Sequence, residues 1–588
     1  MNSYGNGEEP VRLTIAILML FLGVAMAHDA STAAKVDPKH MKAWEKLGDE
    51  FLAEVYYHFH PTAATADGLH GYDAQLEDYS KAGVDEEVAA LKAMRAKVEA
   101  FPEPGLDAEA QIDRRLVLGY LNNRLLSLEA IRGWEKDPDD YQSGITYSVF
   151  VIMARNYAPQ EWRLNAVISR ESQMPAALQA ARANLKNPPR IYTEIALQQT
   201  AGLISFFEHD VPLAFDKVKD EKLLAEFKTT NAAVIAALTG YQKWMKEDLL
   251  LRSTGDFRIG AENYQKKLLY QEGVDIPLDR LLEIGMADLR ANQEWFKKTT
   301  AAIDPKGDPQ EILQQMQHDH PAPEKLLQAY GDLLDGLRDF ILKNKIMSVP
   351  SQQKPSMEET PPFARATTFA SMDTPGAFET KATEAFFNVT LPEASWSKEE
   401  VEGHMAGNSR GVMLAVAIHE VWPGHFMQYV WTPLFPTKLR KVLGANTSTE
   451  GWAHYTEQMM LDQHVANDDP KMRLGQLQDA LLRNARYIVG IKMHTGQMTY
   501  DQAVDFFVKE GYQTRSIAER ESKRGTGDPT YLVYTLGKLE IMKLREDYKK
   551  KMGDKFTLQD FHDNFMKHGL IPIREVRKLM LGEDSPTL

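Results

Sequence analysis

Apolar residues recur at helical spacing along most of the chain. Between Met41 and Phe59 they fall at Leu47, Phe51, Leu52, Val55 and Tyr56, the spacing of a helix with one buried face. The same period runs through Asp85–Phe101, Ala108–Ile131, Leu224–Glu247, Leu278–Lys298 and Pro323–Lys343. Each stretch is predicted to be an amphipathic helix. Alternating β patterns are scarce. The clearest strand is Ala385-Phe386-Phe387-Asn388-Val389-Thr390-Leu391, rich in aromatic and β-branched residues and ended by Pro392. It reads either as an ordinary short strand or as a sheet edge that binds an extended peptide by backbone pairing. Ser348 to Pro362 holds four prolines and few apolar residues, so it is expected to be a loop or hinge.

The N-terminus breaks this pattern. Arg12 precedes an apolar run from Leu13 to Ala27, interrupted only by Thr14 and Gly23. A membrane span needs about 20 residues, and Ala25-Met26-Ala27 has the small–x–small form of a signal-peptidase site. Residues 1–27 are therefore expected to be a signal peptide, with an uncleaved anchor as the rival reading. No second apolar span follows. The mature chain is expected to be exported, periplasmic or secreted, and free of the membrane after cleavage.

Composition narrows the chemistry. The 588 residues are 43% apolar and 26% charged, which excludes wholesale disorder. There is no cysteine, hence no disulfide framework, Fe–S cluster, thiolate zinc site, cysteine nucleophile or expected lipoprotein anchor. Lys and Arg total 68 against 83 Asp and Glu. That acidic balance, with no long basic run, points away from nucleic acid. A G-x-S-x-G elbow and a Walker-type loop are both missing.

Six of the 16 histidines fall between His404 and His494. Within that window, Ala417-Ile418-His419-Glu420-Val421-Trp422-Pro423-Gly424-His425 ends an almost wholly apolar run, Gly411 to Ile418, that should be a buried helix. An ionisable pair there is costly unless it is paired or bound to metal. A hydrogen-bonded core histidine beside a helix-terminal glutamate would also fit. The usual zinc-hydrolase signature is H-E-x-x-H. Here the second histidine stands at i+6, about 120° round a regular helix from the first. Pro423 lacks an N–H and Gly424 permits an unusual turn, so the motif reads as H-E-x-x-H with Pro-Gly inserted. A catalytic zinc keeps three protein ligands and one open position. Glu450 is the candidate third ligand, although Thr447-x-x-Glu450 is equally a capping box. Glu457, seven residues on and on the same helix face as Glu450, is a candidate supporting partner, and His454 faces the same way.

These residues resemble a family. His419-Glu420-Val421-Trp422-Pro423-Gly424-His425 with Gln428, then Glu450-Gly451-Trp452-Ala453, look like the DUF885 family of bacterial proteins, which is itself similar to the gluzincin metallopeptidases. The resemblance extends over most of the chain. Supporting blocks are His60-Pro61-Thr62-Ala63-Ala64-Thr65 with Gly68, Phe257-Arg258-Ile259-Gly260 with Tyr264, Ala485-Arg486 with His494, and Arg524 with Pro529, Tyr534 and Gly537. Phe426 and Gly490 depart from the family pattern without touching a proposed ligand. The resemblance implies Zn²⁺ on His419, His425 and Glu450, with Glu420 as general base.

The expected activity is zinc-dependent hydrolysis of short or unfolded peptides. Tyr534, His494 and Arg524 are candidates to share the oxyanion's charge, and Phe387-Asn388-Val389 to align the peptide. Two other classes fit the same residues: a zinc amidohydrolase acting on non-standard or cell-wall-derived amides, and a non-catalytic helical binding protein with a degenerate metal site. Oligomeric state has no signal in the sequence. The expected fold is mainly α, a large multi-helix body in two lobes around a cleft, with a small sheet edge near the metal. Residues 28–347 would form the N-terminal helical region, 348–362 the hinge and 363–588 the metal-binding catalytic region.

Overall fold

A computed structural model describes residues 36–360, 365 and 369–588. The expected signal peptide lies outside the described residues. Helix dominates, as the periodicity predicts. The first three long helices are α1 (Pro38–Phe51), α2 (Lys81–Ala100) and α3 (Ala108–Leu125). Each begins at a residue whose side chain accepts a first-turn N–H, namely Asp37, Ser80 and Asp107. Next, α4 (Pro138–Met153), α5 (Gln160–Asn184), α6 (Arg190–Ser205) and α7 (Glu221–Trp244) close over their own apolar core, with Ile145, Val167 and Val234 at its centre. The chain continues through α8 (Gly260–Glu272), α9 (Leu278–Ile303) and α10 (Leu326–Lys343).

A small sheet interrupts the helices. Its strands are β1 (Ser356–Glu359), β2 (Ala370–Asp373) and β3 (Phe386–Val389), in the order β1-β3-β2. β3 runs parallel to β1 and antiparallel to β2, with Phe387 opposite both Met357 and Met372. The predicted strand is present, but it is central. Both its sides are hydrogen-bonded, and Phe387 and Val389 are buried. Phe387-Asn388-Val389 therefore cannot align a peptide by backbone pairing, and β2 is the edge that faces the candidate site. The Pro-rich segment 348–362 supplies β1, and residues 361 and 362 lie outside the described residues.

The remaining helices that matter are α11 (Arg410–Glu420), α12 (His425–Trp431), α13 (Asn446–Asp462), α14 (Pro470–His494), α15 (Arg515–Gly527) and α16 (Val533–Met552). The largest core draws on both sides of the Pro-rich segment, joining Trp44, Leu121 and Leu337 to Trp422, Trp452 and Phe565. Among the described residues no helix is long and apolar enough to cross a membrane.

Two helix crossings are made of bare backbone. Gly451 of α13 faces Gly537 of α16, and a Cβ on Gly537 would sit 2.0 Å from the Thr447 carbonyl oxygen. Likewise Gly411 of α11 faces Gly475 of α14, where a Cβ on Gly475 would sit 2.3 Å from the Gly411 carbonyl carbon. Neither crossing has room for a methyl group, so both fix helix separation below what side chains permit.

Two measurements test this reading of the fold. Gly537→Ala must push α13 from α16 and should lower stability by about 1–3 kcal/mol, read as a fall in thermal midpoint. Gly336→Ala, on the exposed face of α10 with open space around it, should raise stability by about 0.4–1 kcal/mol. Equal effects would contradict the crossing. The second test concerns Glu171 on α5, fully buried and bonded only to the neutral donors Thr230 Oγ1 and Asn231 Nδ2 of α7. Burial pushes its carboxyl up to about 7 from 4.5. The folded chain holds this proton more tightly than the unfolded one, so stability is lost as pH rises through that window. Glu171→Gln should gain in thermal midpoint over the parent chain from pH 4.5 to pH 8; a constant difference would contradict it.

Candidate metal centre

The helix α11 stops at Glu420, and Pro423 and Gly424 fill the turn before α12 starts at His425. The turn is tight enough that a Cβ on Gly424 would sit 1.7 Å from the His419 carbonyl oxygen. This is the close approach that the Pro-Gly insertion allows. It brings the His419 and His425 rings to 4.9 Å between centroids, nearly perpendicular. Trp452 Nε1 on α13 donates to the Pro423 carbonyl at 2.8 Å. Gln428 Nε2 on α12 donates to the carbonyls of Ser448 and Thr449 at 3.2 and 3.0 Å. The turn and the first turn of α13 are thus tied together, and α13 delivers Glu450.

Glu450 Oε2 lies 3.5 Å from Nε2 of His419 and 3.5 Å from Nε2 of His425. It is buried and makes no hydrogen bond. Two ligands each about 2.1 Å from a tetrahedral ion stand about 3.4 Å apart. Both carboxylate-to-imidazole distances therefore match the spacing of zinc ligands, and the oxygen between the rings has no other partner. The other ring nitrogens are already committed. His419 Nδ1 bonds Glu457 Oε1 at 2.7 Å, and His425 Nδ1 bonds Gln428 Oε1 at 3.0 Å. With Nδ1 committed in both rings, each Nε2 faces inward, and an ion that displaced its proton would meet the lone pair a metal requires. The residues present fit the ion.

Glu420 also reaches the pair, its ligand atom and those of both imidazoles lying within 4.8 Å of one another. Its Oε2 accepts the Met372 N–H of β2 at 3.1 Å, which holds it at the rim. Glu450, equidistant from both rings, is the better third ligand. The alternative use of Glu450 in a capping box is not seen. The N-cap of α13 is Ala445, and Thr447 gives its N–H and hydroxyl to Glu272 of α8 at 2.8 and 2.9 Å.

Behind the histidines lies Glu457, fully buried. It accepts from His419 Nδ1, from His454 Nδ1 at 3.1 Å and from Arg483 Nη2 of α14 at 3.1 Å. Burial alone would raise its carboxyl, but the Arg483 charge and the two imidazoles hold it well below the usual carboxylate range. Burial likewise opposes charge on His419, yet the carboxylates of Glu450 and Glu457 outweigh it and raise the imidazole to about 10. Glu450 is held well below its ordinary value against burial by its two imidazoles. The cluster favours positive charge between its ligands.

The three oxyanion candidates separate. The Tyr534 ring lies nearly parallel to His419 at 6.4 Å, with the guanidinium carbons of Arg483 and Arg486 5.5 and 5.3 Å from its ring centre. Arg524 reaches the Tyr534 hydroxyl at 3.4 Å and Asp528 at 3.2 Å. His494 is elsewhere. It lies eleven residues beyond Arg483, about 16 Å along α14. Its Nε2 bonds the Gly525 carbonyl, and its ring packs on Phe257 and Tyr264. Burial pushes it down to about 4. It positions the end of α15 rather than reacting groups. Arg483 and Met372 had no sequence signal, because each meets the site only through tertiary contact.

A family model described as "bacterial protein of unknown function (DUF885)" matches residues 61–580. No curated protein matches the chain. One similar solved structure is a candidate lipoprotein of unknown function from Shewanella oneidensis. It is 27% identical with a TM-score of 0.76, covering 92% of this chain and 99% of that one. A second, a candidate lipoprotein from Colwellia psychrerythraea, is 19% identical with a TM-score of 0.77 and the same coverage, and shows likeness of fold. With most of its length matched by the family model, and with the H-E-x-x-P-G-H turn and Glu450 converging as described, the chain belongs to the DUF885 family.

Proposed function

We propose that this chain is an exported, gluzincin-like zinc hydrolase of peptide bonds in short or unfolded peptides. The observation that carries the reading is the orphaned, buried Oε2 of Glu450, 3.5 Å from both imidazole Nε2 atoms. The descriptions of both structural relatives as candidate lipoproteins support a place in the cell envelope, as does the signal-like segment at residues 13–27.

His419, His425 and Glu450 would hold the ion. When bound, zinc supplies Lewis acidity that lowers the pKa of water from about 16 to about 7. Glu420, beside the ligands but tethered to β2, is placed to take a proton from that water and pass it to the leaving amine. The Met372 N–H fixes the orientation of its carboxylate. The Tyr534 hydroxyl, polarised by Arg524, would donate to the developing oxyanion. Glu457 keeps the Nδ1 proton on His419, so that Nε2 faces the ion.

Metal analysis tests the ligand set. The purified protein should carry one zinc, lost in His419→Ala and in His425→Ala. Glu420→Gln should keep the zinc and lose about 10²–10⁴-fold in peptide hydrolysis. Assayed on a peptide library beside cell-wall-derived amides, unchanged turnover in Glu420→Gln would sink the mechanism. Glu457→Gln should weaken zinc binding by about 10–100-fold in chelator competition, with the helical circular dichroism retained. Unaltered affinity would remove Glu457 from the positioning role.

A further inference from the structure

A second concavity, lined by α2, α3, α4 and residues 56–79, encloses about 610 Å³. Its wall is chemically one-sided. Five carboxylates line it: Asp67, Glu77, Asp78, Glu87 and Asp140. Arg124 shares the wall but is committed to Glu87 through bonds of 2.5 and 2.8 Å. His60 is pushed down to about 4 by burial, with Arg124 adding to the effect, so it is neutral at neutral pH. The other carboxylates meet neutral donors or none. Glu77 accepts from the Thr62 N–H and hydroxyl, and Asp67 from the Tyr57 hydroxyl. Among the described residues no hydrogen bond or ion pair reaches the Asp140 side chain. Burial pushes Asp67 up to about 6, while Asp140, which opens to solvent, feels the like charge of Asp139 and the opposite charge of Arg124.

Six aromatic residues share the wall: Tyr56, Phe59, Tyr79, Trp134, Tyr141 and Tyr147. Ring faces attract cations through their quadrupole and offer apolar contact to an aliphatic stem. A metal ion would need oxygens converging on one point. Among the described residues such a convergence is found at the turn that carries His419, Glu420 and His425 and not among the carboxylates here, which are spread round the cavity. The volume falls within the range of about 300–1,000 Å³ usual for small-molecule sites. We propose that this cavity binds an organic cation, an amine or guanidinium on a short aliphatic stem.

Such a group has two sources, a free amine or a basic side chain of a peptide. Tyr147 and Ala66 also line a smaller cavity whose wall includes Asp373, the residue after Met372 on β2. A peptide laid along β2 would pass close by. The cation site itself does not depend on hydrolysis.

Titration calorimetry on the full chain carrying Glu420→Gln, which keeps peptides intact, tests the proposal. Agmatine should bind saturably and N-(4-hydroxybutyl)urea, its neutral counterpart in length, should not. Asp140→Asn should weaken agmatine about tenfold or more, and Tyr147→Ala about two- to fivefold. Asp332→Asn, an exposed carboxylate on α10, should change nothing. An arginine-containing heptapeptide is then compared with its citrulline analogue. Binding tighter than agmatine and lost with citrulline assigns the cavity to a peptide side chain, and weaker binding assigns it to a free amine. If agmatine fails to bind at millimolar concentration and arginine has no advantage over citrulline, the proposal is overturned. It is overturned equally if Asp140→Asn and Tyr147→Ala both leave agmatine binding unchanged.

Discussion

A carboxylate shut away from water is the constraint around which the His419 region is arranged. Glu457 has no exposed surface, and an unpaired charge in that position would be strongly destabilising. It is matched by three donors from three helices: His419 on α11, His454 on its own α13 and Arg483 on α14. Each donor is therefore fixed in direction as well as place. His419 cannot turn without leaving Glu457 short of a hydrogen bond, and this is why its Nε2 faces Glu450 rather than the core.

The turn at Pro423-Gly424 and the glycine crossings act on the same group from outside. The turn sets His425 against His419, and Trp452 and Gln428 bind that turn to the start of α13. Gly451, next in the chain to Glu450, is pressed on Gly537. Local chain geometry thus sets two of the proposed ligands, and a helix crossing sets the third. Electrostatics orients what packing has already placed.

The sequence made the helices and the histidine pair legible because both are local. The helical period at Met41–Phe59 returns as α1, continued through a π-helical segment to Phe59, and that at Leu278–Lys298 returns as α9, which runs on to Ile303. The inserted Pro-Gly announced an irregular turn through two residues of known backbone behaviour. Glu450 was ambiguous because a cap and a ligand call for the same residue type, and the Ala445 N-cap with the bond from Thr447 to Glu272 excludes the cap. Strand order was illegible: nothing in Ala385–Leu391 distinguishes a central strand from an edge. His494 shows the opposite failure. It shares a stretch of sequence with the other histidines, yet a straight helix carries it far from them, because proximity along α14 is measured at about 1.5 Å per residue and not by motif. Arg483, on that same helix, lacks any motif and reaches the heart of the cluster.

The two backbone crossings have a consequence for how this region can change over time. Contacts between side chains are adjustable, since a rotamer shift or a paired substitution can absorb a lost methylene. Main chain pressed on main chain has no rotamer to yield. At Gly411–Gly475 and Gly451–Gly537 the helices already sit at the limit of approach, so any larger residue moves a whole helix. The outer faces of α11, α13, α14 and α16 are free to drift in sequence while their spacing stays fixed. Divergence should therefore accumulate around these four positions and not at them, leaving the interhelical distances near His419 as an inherited dimension of the molecule.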